Sequence, residues 1–265
     1  MCLDVTAFLE RIGYVGSSMP SGKTLREVHR HHVMAVPFEN MDVIAGRRLN
    51  YRIDRLFDKI VVGGRGGWCL ETNWLLAHVL RTMGFNVDFV GAGVATAGGF
   101  KNNLSHCVLL VEVDGSWLIA DVGFGAGSFA EPLPIAPGRY ARYGMVHDVE
   151  WHDGYVLVSR LLNGHWVPMY RVLRTPRDID DFVATTDFNE LSSDSLFNKD
   201  LTCARFTELG WAVVAGTRLI LLSDGRRRSC ALLGSPQLAA TTRWILHGGA
   251  VPTGWPAFRP TDEGY

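Results

Sequence analysis

Three residues in this chain have the types and the spacing for thiol chemistry: Cys69, His106 and Asp121. Cys69 follows a glycine pair in Arg65-Gly66-Gly67-Trp68-Cys69-Leu70-Glu71-Thr72-Asn73. The spacing places it in the first turn of a helix running to about Met83, with Gly84 as the stop. A helix N-terminus favours thiolate over thiol, and thiolate is the nucleophile. A free cysteine is also often a small buried apolar residue, so Cys69 alone supports either reading.

His106 and Asp121 flank a hairpin. The runs His106–Val113 and Ser116–Val122 are apolar and β-branched around Asp114-Gly115, a strong turn signal. If Val113 pairs with Ser116, His106 falls opposite Gly123 and Asp121 opposite Val108. Strand alternation then puts His106 and Asp121 on one face as diagonal neighbours. That face also carries Val108, Leu110 and Ile119, where an unpaired acid or histidine is expensive. The pair is either a structural His–Asp contact or, beside Cys69, a base with its orienting carboxylate.

The other histidines offer less. His29 and His32 stand at turn spacing with His31 between them, but no third ligand accompanies them, so no metal site is expected. His78, His147, His152, His165 and His247 read as surface or satisfied residues.

The elements that must position these residues change type along the chain. Residues 4–12 form one apolar helical face ended by Gly13. Thr24-x-x-Glu27 reads as the capping box of a second helix, with Leu25, Val28 and Met34 inward and Pro37 as its limit. Residues 54–62 give a third helix, and the Cys69 helix a fourth, with Thr72, Leu76, Val79, Leu80 and Met83 inward. Strands follow at 86–94, 106–113, 116–122, 146–151, 155–160 and 166–172, with 95–103 as a loop. Turns at Asp114-Gly115, Asp153-Gly154 and Asn163-Gly164 imply an antiparallel sheet or barrel. Beyond Pro176, short helices are expected at 178–183 and within 191–205, and a last hairpin joins 212–222 to 228–233 across Asp224-Gly225. Arg226, Arg227 and Arg228 beside that turn read as a solvated charged turn rather than a phosphate site. The tail from Gly248 reads as irregular. The organisation expected is α+β: a helical bundle over 1–84 carrying Cys69, an antiparallel β-barrel over 85–176 carrying His106 and Asp121, and an α/β lid with an irregular tail over 177–265.

Composition narrows the function classes. The 265 residues are 47% hydrophobic and 20% charged, as in ordinary globular proteins. A net charge of −1 gives no electrostatic surplus toward nucleic acid or an anionic membrane. The five cysteines, Cys2, Cys69, Cys107, Cys203 and Cys230, are scattered and contain no C-x-x-C, against a disulfide framework or structural zinc. Cys107 alternates to the face opposite His106 and is expected as a buried packing residue. The N-terminus shows no secretion signal, and no run is long and apolar enough to span a membrane, so a cytoplasmic location is expected.

Four stretches resemble the arylamine N-acetyltransferase family: Val36-Pro37-Phe38-Glu39-Asn40-Met41-Asp42, the Arg65–Asn73 block, Ser105-His106 and Asp121-Val122-Gly123-Phe124-Gly125. Ser192-Ser193-Asp194-Ser195-Leu196-Phe197 matches more loosely. The resemblance implies a bundle, barrel and lid around a papain- and transglutaminase-like Cys-His-Asp core. It implies Cys69 as nucleophile, His106 as general base and acid, and Asp121 as its orienting partner. It also implies Phe38, Phe124 and Phe197 as pocket walls, and Arg65, Glu71 and Asn73 as supports. Acetyl-CoA is then the co-substrate, no metal is used, and an arylamine, arylhydroxylamine or hydrazine accepts the acetyl group. The ansamycin amide synthases, a branch of the same family, imply an alternative. There a carrier-protein-bound polyketide chain is transferred through the cysteine onto its own aromatic amine. A thiol hydrolase using the same triad is a further alternative, against which aromatic walls that exclude water argue.

Overall fold

The computed structural model describes residues 3–125 and 127–260; Cys2 lies outside them. Among the described residues no helix is long and apolar enough to cross a membrane.

The chain opens on helices: α1 Val5–Arg11, α2 Gly22–Ala35, α3 Met41–Ile44, α4 Ile53–Phe57 and α5 Cys69–Thr82. Strand β1, Phe38–Glu39, interrupts them. The α2 cap is Ser21, not Thr24. Ser21 Oγ accepts the Thr24 N–H at 3.1 Å, and Thr24 turns inward and is buried. Starting at Ser21 lets residues 22–24 join the helix and satisfies an orphan N–H there. Met34 is exposed, and Val33 takes the inward place expected for it. The expected third helix is α4 running on into a single π turn, Asp58–Val62. Every residue of α5 from Leu70 to Ala77 is buried. A helix apolar on most sides is a central one, and α5 packs on strands, α1 and α4 alike. Gly84 ends it with φ +92°, a conformation glycine adopts freely.

The middle of the chain is antiparallel sheet: β2 Asn86–Thr96, β3 Gly99–Phe100, β4 His106–Val113, β5 Ser116–Ala120, β6 Leu133–Pro134, β7 Gly138–Arg142, β8 Met145–His152, β9 Tyr155–Leu162 and β10 His165–Pro176. The order β6-β5-β4-β2-β10-β9-β8-β7 curls about a core of Val90, Val108, Ile119, Phe129, Val158 and Tyr170. The barrel is nearly closed. β3 folds back on β2 where only a loop was expected.

Past a 3₁₀ turn at Ile179–Phe182 come α6 Val183–Leu191, a second 3₁₀ turn at Leu196–Asn198, β11 Thr202–Thr207, β12 Gly210–Ala215, β13 Arg218–Ser223, β14 Arg226–Ala231, α7 Gly234–His247 and β15 Arg259–Pro260. The strand expected over 212–222 is two, because Gly216 turns at φ +56°. The sheet runs β1-β11-β12-β13-β14-β15, so the N-terminal segment lends it an edge strand. One face packs on α7 through Leu219, Cys230, Trp244 and Ile245. The other joins the main core through Phe206, Trp211 and Ile220. Of the three arginines after the turn, Arg226 and Arg228 are exposed while Arg227 is buried, as strand alternation requires.

Asn40 ties this sheet to the helices. Its Nδ2 donates to the Phe197 and Asp200 carbonyls, both at 2.9 Å, and its Oδ1 accepts the Thr202 N–H at 2.7 Å. Asn40→Ala strands three backbone groups and is expected to lower stability by about 1–3 kcal/mol. Denaturant unfolding measures this, and a loss within a few tenths of wild type would show the bonds to be dispensable.

Candidate active site

The approach to α5 is held by buried charge. Arg65 reaches Glu39 at 2.6 Å and Asp42 at 3.4 Å; Lys59 reaches Asp42 and Glu71, each at 2.8 Å. Glu71 is almost wholly buried, and its Oε2 accepts the Trp68 N–H at 3.1 Å. It thus satisfies one orphan donor at the helix start. Burial pushes the Glu71 carboxyl up to about 7, with Lys59 opposing the rise. Close backbone approach explains Gly66, where a Cβ would lie 2.0 Å from the Pro37 carbonyl oxygen. These contacts place Cys69, half-buried, as the first residue of α5.

The hairpin supplies the partners. Val113 pairs with Ser116 as the turn requires, and the register runs down to Leu109 opposite Ala120. There β5 ends, two residues short of the expected Val122. The amides beyond it are taken by other partners. Asp121 N–H donates to His29 Nε2 at 3.1 Å, Val122 N–H to Asn73 Oδ1 at 2.9 Å, and Gly123 N–H to Asp121 Oδ1 at 2.9 Å. Asp121 therefore sits on a loop rather than in the ladder, yet it meets His106 as alternation implied. His106 Nε2 donates to Asp121 Oδ2 at 2.9 Å, with both groups buried.

Asp121 Oδ1 also accepts from Asn73 Nδ2 at 2.9 Å. Burial would push Asp121 up, but His106, Asn73 and the Gly123 N–H hold its carboxyl below the usual range. Burial likewise works against charge on His106, but the Asp121 charge and hydrogen bond, with Cys69, raise it to about 10. With Nε2 engaged by Asp121, Nδ1 is the nitrogen left for Cys69. Contact with the Cys107 thiol lowers Cys69 most. Burial opposes, and the hydrogen bond and charge of His106 lower it further, to about 6. Between those values the favoured state is a thiolate beside an imidazolium, the arrangement nucleophilic catalysis needs.

Aromatic rings surround the pair. Phe124 lies 5.0 Å from the His106 ring and Tyr170 5.4 Å, centroid to centroid. Phe197 stands between Phe38, at 6.2 Å, and Trp68, at 5.6 Å. Of the residues singled out in the sequence, Cys69, His106, Asp121, Asn73 and Phe124 meet around one point. Arg65 and Glu71 lie on the other side of the helix start, in the ion-pair network. Among the described residues, no group of three His, Cys, Asp or Glu is placed to hold a metal ion.

Three contributors were missed. Trp68 lies inside a matched stretch but carries no chemical signal. Tyr170 reads only as a strand residue. His29 is fully buried, and its Nδ1 donates to the Ala130 carbonyl at 3.2 Å while Nε2 accepts from Asp121. Burial pushes it down to about 4, so it is neutral and supports the loop. No periodicity links residue 29 to residue 121. His147 differs from the surface or satisfied residue expected. It is buried under Phe129, and its ring nitrogens have no hydrogen-bond partner among the described residues.

Gly123 shows how tightly the elements meet. A Cβ there would lie 2.6 Å from the Cys69 Cα and 2.8 Å from Asn73 Nδ2. Gly123→Ala is expected to displace the loop from α5 and lower the alkylation rate of Cys69 at neutral pH at least about tenfold. An unchanged rate in a folded variant would contradict the packing described.

Comparisons with known proteins bear on the fold and the family. The N-acetyltransferase family model matches residues 23–243. The pineal gland arylamine N-acetyltransferase isozyme NAT-3 of Gallus gallus is 30% identical over 240 residues, covering 82% of each chain. The crystal structure of Nocardia farcinica arylamine N-acetyltransferase is 30% identical, with a TM-score of 0.84 over 94% of this chain and 90% of that one. Mycobacterium marinum arylamine N-acetyltransferase, solved in complex with CoA, shares the fold with a TM-score of 0.85 at 24% identity, over 92% of this chain and 93% of that one. A family model that matches most of the chain, with a relative 30% identical over 82% of each chain, makes this protein a member of the arylamine N-acetyltransferase family.

Proposed function

We propose that this acetyltransferase works by ping-pong transfer through Cys69, from acetyl-CoA to an arylamine, arylhydroxylamine or hydrazine. The observation that carries the reading is the preformed contact of Cys69, His106 and Asp121. The relative solved with CoA supports the donor.

In the first half-reaction the Cys69 thiolate adds to the thioester carbonyl. The Cys69 N–H, at the first position of α5, has no acceptor within the helix and is placed to donate to the developing oxyanion. The tetrahedral species expels CoA as thiolate, which takes the proton held on His106. Cys69 is then a neutral thioester. Its hydrogen bond and charge no longer support a proton on His106, so the imidazole stays neutral and is free to accept one from the amine. The amine attacks the acyl carbon, its proton passes to His106, and Cys69 leaves as thiolate. Asp121 holds the ring orientation throughout.

Phe38, Phe124 and Phe197, with Trp68 and Tyr170, form the apolar walls in this reading. They favour a flat aromatic acceptor and keep water from the acyl-enzyme, which separates transfer from hydrolysis. Arg65, Glu71 and Asn73 act by holding the helix start and the carboxylate. The four described cysteines are unpaired, which supports a reducing, cytoplasmic setting.

Intact mass spectrometry after mixing with acetyl-CoA tests the mechanism. Wild type is expected to gain one acetyl group and to lose it on addition of an arylamine. Cys69→Ala is expected to gain none, and its transfer rate to fall by about 10⁴ or more. An equal adduct on Cys69→Ala would overturn the nucleophile assignment. No adduct on wild type would overturn the donor assignment and point to a carrier-bound acyl chain.

A further inference from the structure

One buried nucleophile has no part in this mechanism. Cys107 follows His106 on β4, and alternation turns its side chain to the other face of the strand, toward α5. It is fully buried there, as expected, but it does more than pack. Its Sγ lies 3.5 Å from the Cys69 carbonyl oxygen, and the neighbouring Cys107 thiol lowers the Cys69 thiol. Asn73 fixes the position: its Nδ2 donates to the Cys107 carbonyl at 2.8 Å and stands 3.9 Å from the Cys107 sulfur. The S–H thus donates to the backbone of the residue whose sulfur it also influences.

We propose that Cys107 is a positioning residue for the nucleophile, its S–H turning from the Cys69 carbonyl to the Cys69 sulfur when that sulfur ionises. This rests on Cys69 being the nucleophile. No bond to sulfur is made or broken by Cys107. The Cys69 proton goes to His106, and Cys107 keeps its own, because burial and the neighbouring Cys69 charge push its thiol well up. A donor to a charged acceptor is worth more than one to a neutral acceptor. The contact therefore favours thiolate over thiol. It relaxes to the carbonyl once the sulfur is acylated, since a thioester sulfur is a poor acceptor.

The charged and titratable groups facing Cys69 are few. His106 and Cys107 come from β4, Asp121 from the loop after β5, and Tyr51 from the segment before α4. Asp121 opposes ionisation of Cys69, and His106 and Cys107 favour it.

The test is the pH dependence of Cys69 alkylation by iodoacetamide in the full chain, for wild type, Cys107→Val and Cys107→Ser. Valine keeps the volume without a donor; serine keeps a donor. Cys107→Val is expected to move the midpoint up by about 1–2 pH units, with Cys107→Ser close to wild type. A Val profile that overlays wild type overturns the proposal. So does a Ser variant displaced as far as Val, which would make the role one of volume alone. If valine prevents folding, judged by circular dichroism, Cys107→Ala takes its place. Peptide mass mapping separates the two levels. Alkylation elsewhere than Cys69 removes the nucleophile assignment itself, whereas alkylation at Cys69 with unmoved profiles removes only the role of Cys107.

Discussion

A carboxylate with no exposed surface must be answered on every side, and Asp121 is answered by three elements at once. His106 comes from β4, Asn73 from α5, and the Gly123 N–H from its own loop. An isolated buried carboxylate is costly enough to protonate or unfold its surroundings. Removing one partner of a buried pair typically costs about 3–5 kcal/mol. The helix, the hairpin and the loop are therefore not free to sit elsewhere. The register of the hairpin brings His106 to the right height, and the loop leaves the ladder because Asn73 and His29 claim its amides. The same bonds that neutralise Asp121 raise His106, and a charged His106 stabilises a thiolate at Cys69. Structural necessity and chemical readiness arise from one set of contacts.

A second buried network serves the same helix from the other side. Glu71 is held by Lys59, and its remaining capacity caps the Trp68 amide. Arg65, Glu39 and Asp42 extend the network to the segment that enters the lid sheet as β1. The helix start thus has one charged cluster behind it and another in front, with Cys69 between. Neither cluster is a surface decoration: Glu39, Glu71 and Asp121 are all buried. A fold that ties so much charge to one helix terminus holds that terminus rigidly, which is what precise placement of a nucleophile requires.

Much of this was legible in the chain. The Asp114-Gly115 turn dictates the hairpin register, and alternation then places His106 and Asp121 on one face, because both rules are local. The start and stop of α5 follow from a glycine pair and Gly84. Other features depend on distant partners and leave no local trace. His29 supports Asp121 across the core. Phe38-Glu39 pairs with β11, far along the chain. Ser21 wins the α2 cap from Thr24 because Thr24 is wanted inside. Helix α7 went unread because Gly234 and Pro236 look like loop, although a proline is tolerated in a first turn that has orphan N–H groups anyway. Cys107 was placed on the correct face, but alternation says nothing of which atom a thiol meets there.

The central claim is that His106, kept charged by Asp121, holds Cys69 as a thiolate at neutral pH. Ultraviolet thiolate absorbance, titrated in wild type against a Cys69→Ser baseline, measures this directly. Cys107, Cys203 and Cys230 are all pushed up by burial and stay silent over the relevant range. The predicted difference signal rises with a midpoint near pH 6, the value to which Cys69 is lowered. A midpoint near the ordinary thiol value of about 8.5 would contradict it.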